Sequence, residues 1–254
     1  MSSPRDGLRI AMWSGPRNIS TAMMRAWENR EDTAVIDEPL YAHYLLETGV
    51  QHPGRDAVIA AQCSHAAEVA AMLTGPIPDG KPIWYQKHMT QHMLPGMPLD
   101  WLDDVCNCFL IREPEAVVAS FTIQRPDAAP WELGFEQQTR LFDHVCDRLG
   151  AAPPVIDATD VLKDPAGILQ ALCTRLRIPF SPRMLHWPRG PRASDGVWAP
   201  HWYAAVERST GFAPWREHEL RLTAFQRGLA EQCRGHYERL APHRLTAVCA
   251  PAPR

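Results

Sequence analysis

Lysine is nearly missing from this chain, which carries only Lys81, Lys87 and Lys163 in 254 residues, so arginine supplies almost all of the positive charge. The formal net charge is −3 and the pI lies near 6.4, which excludes nucleic-acid binding driven by bulk electrostatics. No apolar run approaches the roughly 20 residues of a membrane-spanning helix. The polar start MSSPRDG leads straight into a strand-like run, so no signal peptide is expected. Seven cysteines, at 63, 106, 108, 146, 173, 233 and 249, form no C-x-x-C pair and no zinc-like spacing with histidine. No metal site is expected, and Cys106 and Cys108 alternate along a strand as small core residues. Repeats and low-complexity tracts are also missing. A soluble, reduced, cytoplasmic protein with no nucleic-acid or membrane partner is the expectation.

Hydrophobic residues make up 45% of the chain, enough for one sizeable α/β core and too few residues for two comfortable domains. A single domain over 1–254 is therefore expected, with its core at about 8–240 and a frayed tail from Ala241. Strands are predicted at Leu8 to Trp13, Ala34 to Asp37, Ile83 to Lys87, Val105 to Ile111 and Val155 to Asp157. Helices are predicted at Ser20 to Asn29, Arg55 to Leu73, Glu115 to Phe121, Phe135 to Leu149, Pro165 to Leu176 and Trp215 to Leu240. Strands alternating with helices imply a parallel sheet covered on both faces, with ligands at the carboxyl ends of its strands. The 24 prolines concentrate in three stretches, Pro76 to Pro98, Pro126 to Pro130 and Pro179 to Pro200, which are expected to form loops around an acceptor pocket.

The segment LRIAMWSGPRNISTAMMRAW, Leu8 to Trp27, reads as strand, turn and helix. That order aims free backbone N–H groups and a helix N-terminus at one point, where Arg17 adds a full charge, and such a place binds phosphate or sulfate. It lacks the second glycine and the lysine of G-x-x-x-x-G-K-(S/T), which disfavours a kinase using ATP. A second segment, NCFLIREPEAVVASF from Asn107 to Phe121, carries Arg112 and, eight residues on, Ser120. Pro114 opens its helix without wasting a donor, so Arg112 and Ser120 can reach one anion.

Pro16-Arg17-Asn18-Ile19-Ser20-Thr21 resembles the 5′-phosphosulfate loop of the sulfotransferases, P-(K/R)-S-G-(S/T)-T, with Asn18 in place of Ser and Ile19 in place of Gly. Arg112 and Ser120 match the pair that holds the 3′-phosphate of PAPS (3′-phosphoadenosine 5′-phosphosulfate) in that family, although Glu113 replaces its usual Asp or Asn. Asp160, Leu162, Asp164 and Pro165 reproduce a structural D-L-x-x-(D/N)-P turn, and Gly196 with Trp198 resembles the late G-x-W loop that closes over the nucleotide. The resemblance spans roughly residues 8 to 202. It implies a P-loop-like three-layer α/β/α fold and a PAPS-dependent transfer to a hydroxyl or amine of a small-molecule or carbohydrate acceptor. It further implies cofactor contacts from Gly15, Pro16, Arg17, Asn18, Ile19, Ser20, Thr21, Arg112, Ser120, Arg192, Gly196 and Trp198, with no metal.

Sulfuryl transfer needs charge stabilisation on the departing phosphate, assigned to Arg17, and a base for the acceptor's proton. Two residues compete for that second role. Glu38, in Ile36-Asp37-Glu38-Pro39-Leu40, resembles the acidic "EPL" segment of carbohydrate and several bacterial sulfotransferases. His88 follows Lys87 in a stretch similar to the K-x-H of cytosolic members, with the lysine adjacent to the histidine instead of two before it. Histidine needs no tuning near neutral pH, whereas Glu38 needs its pKa raised. Lys87 is expected to approach the sulfuryl group, and Asp37, His92 and Trp131 to line the acceptor side. A non-catalytic nucleotide-binding protein of the same fold stays open because of Ile19.

Overall fold

In the computed structural model, which describes residues 7–217 and 220–247, five parallel strands form one sheet. They are β1 (Leu8–Ser14), β2 (Thr33–Asp37), β3 (Ile83–Met89), β4 (Cys106–Ile111) and β5 (Val155–Asp157), in the order β2-β3-β1-β4-β5. The central strand is apolar on both faces. Ile10 and Met12 enter one core cluster while Ala11 and Trp13 enter the other, as a strand covered on both sides requires. Because β3 and β4 flank β1, the order in which strands join the sheet reverses there, and the loop that follows β1 opens into the crevice at the strands' carboxyl ends. The expected three-layer parallel α/β fold is the observed one.

The covering helices are α1 (Ser20–Glu28), α2 (Tyr41–Thr48), α3 (Arg55–Ala61), α4 (Ala66–Thr74), α5 (Pro114–Phe121) and α6 (Phe135–Leu149). After β5 come α7 (Ala158–Lys163), α8 (Pro165–Arg175), α9 (Ala199–Trp202), α10 (Ala204–Glu207) and α11 (Ala224–Leu240). Among the described residues no single helix is long and apolar enough to cross a membrane.

Three helix and tail expectations are corrected. The single helix expected over Arg55 to Leu73 is α3 and α4, bent by 55°. Its break is put to use: the Gln62 side chain accepts from the Ala42 amide (3.1 Å) and donates to the Glu38 carbonyl (3.2 Å), clamping the start of α2. The last helix begins at Ala224, not Trp215, because Thr223 and Gln226 form a capping box that fixes its first turn; residues 218–219 of the expected span lie outside the described residues. The tail is anchored where it leaves α11: Ala241 is buried, Arg244 bridges Val155, and the Leu245 amide donates to the Val155 carbonyl at 2.8 Å. Residues 248–254 of that tail lie outside the described residues.

Candidate active site

The turn from β1 to α1 is shaped by contacts a larger residue at its start would break. A Cβ on Gly15 would stand 2.7 Å from the Leu133 carbonyl oxygen, so only glycine lets the 130–134 segment lie against the turn. Gly15→Ala is expected to cost about 1–3 kcal/mol, the usual penalty for forcing atoms into a packed site. Thermal unfolding should show a midpoint lowered by several degrees. Arg17 (φ 57°) and Ile19 (φ 49°) both adopt left-handed backbone. For a β-branched residue this costs about 1–2 kcal/mol, and Ile19 offsets part of it by packing half-buried against the core that holds Met23 and Met24. Ile19 thus takes the positive φ for which glycine is the usual choice. Asn18 ties the turn to the neighbouring strand by donating from Nδ2 to the Leu110 carbonyl at 2.7 Å.

Two segments about a hundred residues apart meet at this turn. Arg17 donates from Nε to Ser120 Oγ at 2.8 Å, and Arg112 donates from Nη1 to the Arg17 carbonyl at 2.5 Å. Burial lowers the pKa of Arg17; burial, followed by repulsion from Arg17, lowers that of Arg112. Both stay charged, since a guanidinium is effectively always protonated. Among the described residues neither has a carboxylate within ion-pair distance, whereas Arg25, Arg30 and Arg125 all do. Two adjacent, half-buried, unneutralised arginines beside the N-terminus of α1 make a site that calls for an anion.

At the ends of β2 and β3 the structure separates the two candidate bases. β3 runs to Met89, two residues past its expected end, so His88 is still strand and the pleat sends it to the face opposite Lys87. There His88 stacks on Trp13 (4.3 Å between centroids, 24°), lies near Trp101 and hydrogen-bonds Gln86 Oε1 at 3.3 Å. It is 1% exposed, and burial, then the charge of Lys87, pull its pKa down to about 3. The structure does not bring His88 to Glu38 and Lys87.

Lys87 faces the other way and is fully engaged. Its Nζ donates to Asp37 Oδ1 (2.8 Å), Glu38 Oε1 (2.5 Å) and the Tyr203 hydroxyl (2.9 Å), which uses all three ammonium protons. It therefore has no proton left to offer a sulfuryl group. Asp37 is equally committed, accepting on Oδ2 from Tyr203 OH (2.7 Å) and the Gly196 amide (3.2 Å). Glu38 differs: Lys87 holds Oε1, Oε2 stands 4.0 Å from His92 Nε2, and the Tyr203 hydroxyl adds a further contact to the carboxylate. Burial raises the Glu38 pKa above the ordinary carboxylate range despite the opposing charge of Lys87. Its backbone is left-handed as well (φ 42°), a strained conformation of the kind that collects at functional sites. His92 stacks on Tyr41 (4.8 Å, 9°) and is kept neutral, first by burial.

The proline-rich stretch before α9 covers this cluster. Asp195 pairs with the buried Arg25 at 2.6 Å, the Gly196 amide reaches Asp37, and Trp198 donates from Nε1 to the Tyr203 hydroxyl at 3.0 Å. A Cβ on Gly196 would collide with the Trp198 ring, so the G-x-W spacing here serves to fold the indole inward. Trp198 is buried edge-on against Tyr41. Arg192 turns to Glu28 (3.6 Å) and the Pro188 carbonyl (2.6 Å), at the far end of α1 from Ser20. Nine helical residues separate those ends by about 12 Å, so Arg192 is not part of the Arg17–Arg112 cluster. Trp131 is 41% exposed, 6.3 Å from the Tyr44 ring, at the mouth of an aromatic group that includes His92. Tyr203, Arg25 and Asp195 carry no motif; only their hydrogen bonds identify them.

Comparison with known proteins agrees with this architecture. A family profile described as "Sulfotransferase domain" matches residues 8–227. Two Arabidopsis thaliana proteins, branched-chain-amino-acid aminotransferase-like proteins 2 and 1, are 34% and 36% identical over 235 residues. The match takes in 92% of this chain but only 41% and 42% of theirs, so it spans about two fifths of those relatives. The crystal structure of a sulfotransferase from Alicyclobacillus acidocaldarius superposes with a TM-score of 0.51 at 10% identity, covering 96% of this chain and 98% of that one, a likeness of fold. With the profile running from β1 into α11, and so through both arginine segments and the Glu38 cluster, the chain belongs to the sulfotransferase domain family.

Proposed function

We propose that the protein transfers a sulfuryl group from PAPS to a hydroxyl or amine of a small-molecule or carbohydrate acceptor, releasing 3′,5′-ADP. The observation that carries this reading is that Arg17 donates to Ser120 and Arg112 to the Arg17 carbonyl, with no carboxylate within ion-pair distance of either guanidinium among the described residues. Two anionic groups of one ligand fit such a pair better than one. The amides of Ser20 and Thr21 with Arg17 would hold the 5′-phosphosulfate end, and Arg112 with Ser120 the 3′-phosphate. PAPS supplies an activated sulfuryl group on a leaving phosphate. Arg17 and the helix N-terminus stabilise the charge that develops on that phosphate, and Glu38 accepts the acceptor's proton on Oε2, the oxygen that Lys87 does not hold. A carboxylate whose pKa is raised is the stronger base near neutral pH. Asp37 and Lys87 fix Glu38 in place.

The nucleotide half of this reading is tested by thermal unfolding. 3′,5′-ADP should raise the midpoint, and 5′-AMP far less, because a ligand bridging both arginines stabilises the folded state by mass action. Arg112→Ala should erase the difference. Equal shifts from the two nucleotides in the unaltered protein would remove the 3′-phosphate assignment, and a larger shift from ATP with Mg²⁺ would favour a kinase. Incubation with labelled PAPS and a metabolite extract then identifies the acceptor.

A further inference from the structure

Tyr203 lies at the junction of α9 and α10, 4% exposed, and its hydroxyl joins the covering segment to the candidate base. It donates to Asp37 Oδ2 (2.7 Å) and accepts from Lys87 Nζ (2.9 Å) and Trp198 Nε1 (3.0 Å). A phenol has one proton and two lone pairs, so these contacts use all three, and the same hydroxyl also lies within reach of Glu38. Lys87 likewise spends one proton each on Asp37, Glu38 and Tyr203. Nothing in this set is free to shift without leaving a buried partner unmatched.

We propose that Tyr203 is a positioning residue for Glu38, acting through Lys87 and through its own contact with Glu38: its hydroxyl holds the ammonium between two carboxylates and so fixes how much of that charge Glu38 receives. This rests on reading Glu38 as the base. Among the described residues, the titratable groups facing Glu38 are Asp37 from β2, Lys87 from β3, His92 from the turn after β3, Tyr41 from α2 and Tyr203 from the covering segment. Burial keeps His92 and Tyr41 uncharged through the neutral range, so Asp37, Lys87 and Tyr203 decide where Glu38 titrates.

Without the hydroxyl, a proton of Lys87 and Oδ2 of Asp37 both lose the same oxygen. They close on each other, drawing Lys87 toward Asp37 and away from Glu38. Tyr203→Phe should therefore raise the pH at which Glu38 titrates, by about one unit, the scale of a neighbouring hydrogen bond or charge. Asp37→Asn should lower it, because Glu38 loses a like charge and gains the undivided ammonium. The measurement is a pH titration of protein labelled with carbon-13 at the glutamate carboxyls, the Glu38 resonance being the one lost in Glu38→Gln. It requires neither acceptor nor nucleotide. Opposite displacements in the two variants support the inference; an unmoved midpoint in either, or displacements of the same sign, overturns it. Should Tyr203→Phe fail to fold, protein carrying 3-fluorotyrosine in place of tyrosine, whose hydroxyl is a poorer acceptor for Lys87, takes its place: an upward displacement of the Glu38 midpoint supports the inference and an unmoved one overturns it. A separate assay with labelled PAPS and metabolite extract isolates the underlying reading: full transfer by Glu38→Gln would remove Glu38 as base whatever the titration shows.

Discussion

Glu38→Gln is expected to lower sulfuryl transfer by about 10²- to 10⁴-fold, the range for loss of a general base, while 3′,5′-ADP binding stays nearly unchanged. The amide keeps the shape and still accepts from Lys87, but it cannot take a proton. His88→Gln should act elsewhere, on stability. His88 titrates at about 3 in the folded protein against an ordinary value of 6.5. The unfolded chain therefore binds a proton below about pH 6.5 that the native state refuses. Its contribution is fully present above pH 6.5 and is lost as pH falls toward 3. At about 1.4 kcal/mol per pH unit this amounts to several kcal/mol. His52, pulled down to about 4 by burial, adds to the same slope. Denaturant unfolding from pH 7 to 4 should show a steep decline in the unaltered protein and a shallower one in His88→Gln. Loss of turnover in His88→Gln matching that in Glu38→Gln would reverse the assignment.

The strands and the arginine segments were legible because both signals are local. Each strand is an apolar run bounded by turn residues, and the spacing from Arg112 to Ser120 survives folding as one helix start. Both candidate bases were legible but not the choice between them, because the residues alone do not say which face of the sheet each side chain takes. Lys87 and His88 are neighbours in the chain and on opposite faces of the sheet, since two further residues of β3 keep the pleat running through both. Ending the strand at Lys87 hid that constraint. The last helix carried a readable start signal, Thr223 followed by Gln226, which the arginine-rich residues before it masked. The break between α3 and α4 had none: no glycine or proline occurs from Gln62 to His65, and the bend serves contacts from Gln62 to Ala42 and Glu38. Tyr203 contacts Asp37 across 166 positions in the chain, a distance no periodicity spans.

Lys87→Met should be the most damaging single change to stability. Methionine fits the space of the aliphatic stem, but Asp37 and Glu38 lose the ammonium that sits 2.8 and 2.5 Å from them. Breaking a buried ion pair by removing one partner costs about 3–5 kcal/mol. For a domain of this size that is a fall in the thermal midpoint of roughly 6–20 °C. The pH dependence gives the change its signature. Without Lys87 the two carboxyls are buried side by side, so burial and the like charge of Asp37 raise the folded-state pKa of Glu38 further above its value in the unfolded chain. A group raised on folding contributes stability that is present at low pH and lost as pH rises through its folded value. The variant should therefore be closest to the unaltered protein near pH 5 and fall away from it toward pH 8, opposite in sign to the acid-side loss caused by His88. Calorimetric scans of both proteins across that interval test it, and a gap that stays constant or narrows with rising pH would show that Lys87 does not neutralise this carboxylate pair.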